Sequence, residues 1–437
     1  MNIKNTLAGC IATGMLAIST VSSGATTVTV GTVNNGDMII MQRLSAEFEK
    51  QHPDIKLDWV ILEENVLRQR LTTDIATNGG QFDVMTIGMY EAPIWGKLGW
   101  LETMDNLPED YDIQDVIPSV RDGLSANGTL YALPFYGESS MTFYNKDLFS
   151  KAGISMPEQP TWQQMSEFAS KTHDPENGIY GMCLRGKPGW GENMALLSTM
   201  VNTYGGRWFD EEWKPEINSP QWKEAIGFYI DLMSNYGPPG VSSNGFNENQ
   251  ALFSSGKCAI WVDATSAAGR LLNPKESQVG DSVGFASAPV AVTPKGSGWL
   301  WAWALAIPTS SDAKEAAKEF MLWATSKSYI ELVGESDGWA SVPPGTRAST
   351  YDNPKYVQQA PFAALTTQAM QNADPTDSTL EPVPYTGVQF VAIPEFQSIG
   401  TQVGKMISGA LSKQMTLDEA LDSSQKIAER EMKRYYK

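Results

Sequence analysis

Thr27 to Thr32 alternates β-branched residues, which predicts a strand running into the turn Asn34-Asn35-Gly36-Asp37. A helix is expected from about Asp37 to His52, stopped by Pro53. Ile55 to Leu62 reads as a second strand, Glu63 to Ala76 as a helix and Phe82 to Ile87 as a third strand. Strand, helix, strand, helix, strand is the order of an α/β layer architecture. The alternation resumes after Tyr131, with strands expected at Ser139 to Tyr144, Gly181 to Leu184, Cys258 to Asp263 and Val283 to Ala288. Helices are expected at Thr161 to Thr172 and at Trp222 to Ser234. Proline and glycine are spread over many short loops and no segment is of low complexity, so two α/β lobes fit better than a solenoid or a β-sandwich.

The N-terminus follows a different pattern. A short start with Lys4 leads into an apolar, small-residue stretch from Leu7 to Val21, then Ser22-Ser23-Gly24-Ala25. This predicts a secretory leader over residues 1–25, cut after Ala25. Leu7-Ala8-Gly9-Cys10 has the form of a lipoprotein box, but the apolar run follows Cys10 instead of preceding it, so a lipid anchor is not expected. No other stretch reaches the roughly 18 apolar residues a membrane span needs.

Fifty acidic residues against 32 basic ones give a formal charge of −18, without a basic run, which argues against nucleic-acid binding. Two histidines and three cysteines leave little from which to build a zinc site, so neither metal nor cofactor is expected. The 14 tryptophans, 15 tyrosines and 15 phenylalanines supply many flat apolar faces. Cys183 and Cys258 would meet an oxidising compartment; a disulfide or a pair of buried thiols are both open, with thiols the default.

A series of segments, in order, carries a resemblance: Phe48-Glu49-Lys50 with Pro53-Asp54-Ile55-Lys56, Phe82-Asp83-Val84-Met85, Gly99-Trp100-Leu101-Glu102, Gly128 to Pro134, Phe143 to Phe149, Phe253 to Ala259, Ala313 to Trp323 and Thr416 to Ala420. Through them nearly the whole exported chain resembles the extracellular solute-binding proteins of bacterial ABC importers, the group that includes the maltose-binding protein. The resemblance implies a two-lobed α/β fold of the type II periplasmic kind, with three interlobe crossings and a central ligand cleft. The crossings fall near Leu133 to Ser140, Phe285 to Val290 and Gly334 to Pro344. The first lobe is then expected at 26–137 plus 289–335, and the second at 138–288 plus 336–437.

A sugar or polyol offers hydroxyls at its edge and C–H bonds on its faces, so a site needs aromatic plates and hydrogen-bonding side chains. Trp299, Trp301 and Trp303 share one face of a strand, either as core or as a cleft wall; Trp301 and then Trp303 are the candidates. Trp339 falls in the third crossing, Tyr136 and Glu138 in the first, where the resemblance places a ligand-contacting glutamate at Glu138. Asp263 ends a strand, and Ser266 follows where the family often has tryptophan. Trp190 is a substitute platform or a surface-loop residue, with Arg185 as a hydroxyl clamp. Asn35 and Glu64 stand in carboxyl-end loops of the first lobe, as ligand groups or as helix caps. Tyr90 and Glu91 do not match the Asp-Arg pair of the maltose-binding protein, which counts against maltose.

The competing class, a secreted carbohydrate-active enzyme, needs only a carboxylate pair about 5–10 Å apart, which fifty acidic residues make unavoidable and uninformative. No nucleophile triad, metal cluster or phosphate loop is present in the sequence. The expectation is a monomeric periplasmic protein that captures a sugar alcohol of the sorbitol or mannitol kind and delivers it to the membrane permease subunits of an ABC importer. A mono- or oligosaccharide is the alternative ligand.

Overall fold

The computed structural model describes residues 24–435; the expected leader up to residue 23, with Cys10, lies outside them. Ten strands are numbered here in chain order: β1 (Thr26–Val33), β2 (Ile55–Leu62), β3 (Val84–Gly88), β4 (Ser125–Ala126), β5 (Thr129–Leu130), β6 (Leu133–Glu138), β7 (Ser140–Asn145), β8 (Ile260–Ala264), β9 (Val283–Ser287) and β10 (Trp301–Ala306). The first lobe is built on a sheet of order β2-β1-β3-β10-β6. β1 pairs in parallel with β2 and β3, through the helices Gly36–Gln51 and Glu64–Ala76, whereas β10 returns antiparallel between β3 and β6. β3 and β10 are buried along their whole length, as inner strands covered on both faces must be. The second lobe holds an antiparallel sheet of order β8-β7-β9, and β4 and β5 form a small hairpin. Trp162, Trp208, Trp222 and Trp261 are fully buried in its helical packing.

The chain changes sheet at Ser139, because β6 runs on almost without a break into β7. Leu133 to Ser140, expected as a looped crossing, is therefore extended strand. The chain changes sheet again between Ser287 and Trp301. After the helix Lys327–Asp337 it continues to the long helices Phe396–Leu411 and Leu417–Tyr435, which pack on each other and on the second-lobe helix Pro220–Tyr236. At the first and third of these passages the backbones touch. Gly137 N–H donates to Pro344 O (2.8 Å), and a Cβ on either Gly137 or Gly345 would strike the other's backbone. Gly345 also has φ +72°, a second reason for glycine there.

Gly181 to Leu184 is not a strand. It makes two isolated bridges, Tyr180 to Cys258 and Cys183 to Trp261, while Met182 N–H turns to Tyr236 O, so no continuous ladder forms. The bridges nevertheless bring Cys183 and Cys258 together with a Cα separation of 6.2 Å, and the two are joined as a disulfide. The thiol default is thereby corrected.

Candidate functional site

Strand alternation puts Trp301 and Trp303 on one face of β10, and with Trp299, two residues before the strand, they form a wall of a cavity of about 620 Å³ between the lobes. Trp301 lies where β3 has Gly88, since a Cβ there would overlap the indole. Across the ladder Trp301 is opposite Glu138 and Trp303 opposite Tyr136, so one pair of strands delivers four groups to the cavity.

Arg68, in the helix Glu64–Ala76, is the first-lobe residue that the sequence reading missed. Its guanidinium carbon stands 4.1 Å from the ring centre of Trp190, 4.7 Å from Trp303 and 5.1 Å from Trp301. Nε donates to Glu64 Oε1 (3.0 Å) and Nη1 to Glu91, whose other oxygen accepts the Gly88 N–H (3.0 Å). Burial opposes the charge of Arg68, but Glu91 and Glu64 outweigh it and raise its pKa. The faces of Trp301 and Trp303 are thus shared with a cation, in contacts worth roughly 0.5–2 kcal/mol each. The Glu64 to Arg68 spacing of four on a helix was the available signal.

In the second lobe Asp263 holds Arg185 side-on: Nε is 3.1 and 3.0 Å from the two carboxylate oxygens and Nη2 is 2.6 Å from Oδ1. Asp263 also accepts from Trp261 Nε1 (3.0 Å) and Ala264 N–H (2.7 Å). It is completely buried and lies beneath the cavity instead of lining it, so it fixes Arg185, which does line it. Burial again opposes the charge, Asp263 offsets it, and the pKa of Arg185 rises.

Glu138 lines the cavity and accepts from Ser266 Oγ (2.6 Å), the serine at the position where tryptophan is frequent in the family resembled. Burial pushes the Glu138 carboxyl up to about 8, against the lowering effects of Ser266 and Arg185. Asn35 is the helix cap, Oδ1 accepting from Met38 N–H (3.0 Å), and it lines the cavity with Nδ2 donating to Tyr136 Oη (2.7 Å). Glu64 lines the cavity as the first residue of its helix, whose cap is Glu63.

Trp190 is no surface residue. It is 3% exposed, packed between Tyr90 (4.8 Å) and Trp301 (5.8 Å), and it lines the cavity. Trp339, unlike Asp263, neither lines the cavity nor supports a residue that does. It is buried against Gly334 with the Lys355 ammonium 5.4 Å from its ring, because the turn Trp339–Ser341 folds back on the preceding helix.

Lys187, Glu192 and Gln250 also line the cavity and were not anticipated. Glu192 is 4% exposed, and burial together with Glu64 pushes its carboxyl up to about 8. Trp190 Nε1, Glu192 Oε2 and Gln250 Nε2 are buried without a hydrogen-bond partner. Such groups cost about 1–3 kcal/mol each unless something pairs with them. Three contacts close the mouth between the lobes: Lys187 Nζ with Glu63 Oε1 (2.7 Å), Asn247 Nδ2 to Asn34 O (3.0 Å) and Asn65 Nδ2 to Pro188 O (3.2 Å). Among the described residues no group of acidic, histidine or cysteine side chains is arranged to hold a metal.

Comparison with known proteins adds four findings. The profile of the bacterial extracellular solute-binding proteins matches residues 35–331. A mannitol-binding protein of Pseudomonas aeruginosa is 60% identical over 432 residues, 99% of each chain. A solute-binding protein of an ABC transporter from Agrobacterium vitis, solved with bound D-mannitol, superposes with a TM-score of 0.93 at 58% identity, covering 94% of this chain and 99% of that one. A further solute-binding protein, from Agrobacterium radiobacter in complex with ribitol, shares the fold at 24% identity and a TM-score of 0.82, with 93% and 99% coverage.

Proposed function

The chain belongs to the bacterial extracellular solute-binding proteins, and from that premise we propose that it captures a linear hexitol, D-mannitol or a near stereoisomer such as sorbitol, between its lobes and presents it to the permease of an ABC importer. The observation that carries the reading is the interlobe cavity, in which unpaired buried polar atoms of Trp190, Glu192 and Gln250 alternate with indole faces. A neutral, flexible molecule with hydroxyls all along its length can pair such atoms while laying C–H bonds on the rings. The likeness to two proteins associated with mannitol selects the ligand from that class.

In this reading Glu138, Arg185, Glu64 and Tyr136 hold hydroxyls, with Trp190, Trp299, Trp301 and Trp303 as walls. Asp263 acts through Arg185, and Asn35 through Tyr136. The first 25 residues export the protein to the periplasm, where it works as a monomer. It binds without turnover: the cleft offers a ligand cage in which each cation is already held by a carboxylate.

Closure is a population shift in which ligand hydroxyls satisfied from both lobes favour the closed form. Calorimetry with D-mannitol, sorbitol, ribitol and maltose, together with small-angle scattering, tests it. A hexitol should give saturable 1:1 heat and a more compact particle, and maltose should bind far more weakly. Tight maltose binding without hexitol binding overturns the ligand, and any released product overturns the binder.

A further inference from the structure

The ionisable groups of the cleft do not balance. Each cation that lines it already has a carboxylate: Arg68 has Glu64 and Glu91, Arg185 has Asp263, Lys187 has Glu63, and Arg270 has Glu276. What remains over is acidic. Glu138 is bonded only to a serine hydroxyl, Glu248 only to the Gly245 N–H, and Glu192 has Oε2 3.6 Å from Arg185 and Oε1 3.8 Å from Lys187, with no hydrogen bond to Oε2.

Glu192 is more than nine-tenths buried and faces the cavity beside the unpaired Trp190 Nε1. A ligand carrying a carboxylate or phosphate therefore finds no cation that is not already paired with a carboxylate. A ligand carrying an ammonium group finds a buried carboxyl oxygen that accepts no hydrogen bond and has only the longer 3.6 Å contact with Arg185.

We infer that the cleft selects on ligand charge, admitting hexitols in which one terminal hydroxyl is replaced by a protonated amine and excluding the corresponding aldonic acids and phosphates, with Glu192 as the residue that reads the charge. The inference rests on the hexitol reading above and extends it to a second ligand class, the amino-deoxy-hexitols. D-Mannitol has a two-fold axis, so an amine at either end can be turned toward Glu192 without disturbing the other hydroxyls.

The spare acids also predict a proton count. Around Glu192 stand Arg185 and Lys187 from its own loop, Glu63 and Glu64 from the first lobe, and Glu248 near Lys187. Its carboxyl, held at about 8 by burial, is largely protonated at pH 7. An incoming ammonium keeps its own proton, so the proton on Glu192 passes to the buffer. A hydroxyl ligand requires no such release.

The test is calorimetry on the whole protein at pH 7, in two buffers of different ionisation enthalpy, with D-mannitol, 1-amino-1-deoxy-D-mannitol, D-mannonate and D-mannitol 1-phosphate. The amine should bind at least as tightly as mannitol, with a buffer-dependent enthalpy that mannitol lacks, and both anions should bind at least a hundredfold more weakly. In Glu192→Gln the ratio of amine to mannitol affinity should fall tenfold or more. Mannonate within tenfold of mannitol, or an amine a hundredfold weaker than mannitol, overturns the charge selection in the wild-type protein whatever the variant does. Failure of mannitol itself to bind overturns the hexitol reading on which the inference stands, which is a separate result.

Discussion

Replacing Asp263 by asparagine removes one negative charge from beneath the cleft and changes almost no volume. The carboxylate accepts from Arg185 Nε and Nη2, Trp261 Nε1 and Ala264 N–H. An asparagine keeps one acceptor oxygen and turns an NH2 group toward these donors. Breaking a buried ion pair from one side costs roughly 3–5 kcal/mol, because the other charge stays behind. Here Glu192 lies 3.6 Å from Arg185 and can take over part of the role, which places the loss near about 3 kcal/mol.

That substitution also carries a pH signature. The folded Glu192 titrates near 8, above its unfolded range, so the protein loses stability as pH rises through that value. In Asp263→Asn, Glu192 becomes the close carboxylate of Arg185 and its pKa falls. The deficit relative to wild type therefore shrinks between pH 6 and pH 9. Urea unfolding followed by tryptophan fluorescence gives both quantities, provided the denaturant slope is unchanged. The double variant Arg185→Met with Asp263→Leu should regain most of the lost stability, since apolar groups can replace a buried pair at little cost. Mannitol affinity should drop tenfold or more in either case, because Arg185 is displaced or gone. A single-variant loss below about 1 kcal/mol, or a deficit that grows with pH, would refute the reasoning.

The disulfide Cys183–Cys258 closes 75 residues of chain, so Cys183→Ser with Cys258→Ser should cost about 2–4 kcal/mol in unfolding experiments, and an unchanged melting temperature would count against it. Asp37, Glu138 and Glu192 all have carboxyls raised by burial, to about 7, 8 and 8. Wild-type stability should accordingly decline from about pH 5 to pH 8, and Glu138→Gln together with Glu192→Gln should flatten the slope; a wild-type melting temperature that climbs over that range speaks against it. Trp339→Ala should cost about 3–5 kcal/mol of stability yet leave mannitol affinity within about twofold, and a selective loss of affinity would return Trp339 to the cleft. Lys187→Ala removes a half-exposed pair across the mouth, worth about 1 kcal/mol or less, so the mannitol off-rate should rise up to about fivefold with little change in on-rate.

The first lobe was readable because β1, β2 and their helices keep one periodicity each and end at marked stops such as Pro53. Trp301 and Trp303 of β10 were readable for the same reason, since alternation alone puts them on one face. What could not be read is what depends on pairing between distant segments. Gly181 to Leu184 has the composition of a strand, but between the bridges to Cys258 and Trp261 the Met182 N–H turns to Tyr236 O, so only single bridges form. Arg68 sits on an ordinary helix surface in sequence terms, and only the approach of Trp190 from 122 positions away turns it into a wall of the cavity. Asp263 was found as a residue but not as a support, because burial under Arg185 is a property of the packed lobe. Trp339 was misplaced because a position near a crossing says nothing about which way the ring turns.

The contact of Gly137 with Gly345 limits how the two lobes can move. Two separate, slack connections would act as a universal joint and allow one lobe to tilt, slide and twist on the other. Here two of the connecting segments abut backbone to backbone, with a hydrogen bond from Gly137 to Pro344 and no side chain between them. They behave as a pair of pins on one line, leaving rotation about that line as the cheap degree of freedom. A rotation about one axis brings the same residues of the opposite lobe to the mouth each time, so Lys187 meets Glu63 and Asn247 meets Asn34 without any search among alternative registers.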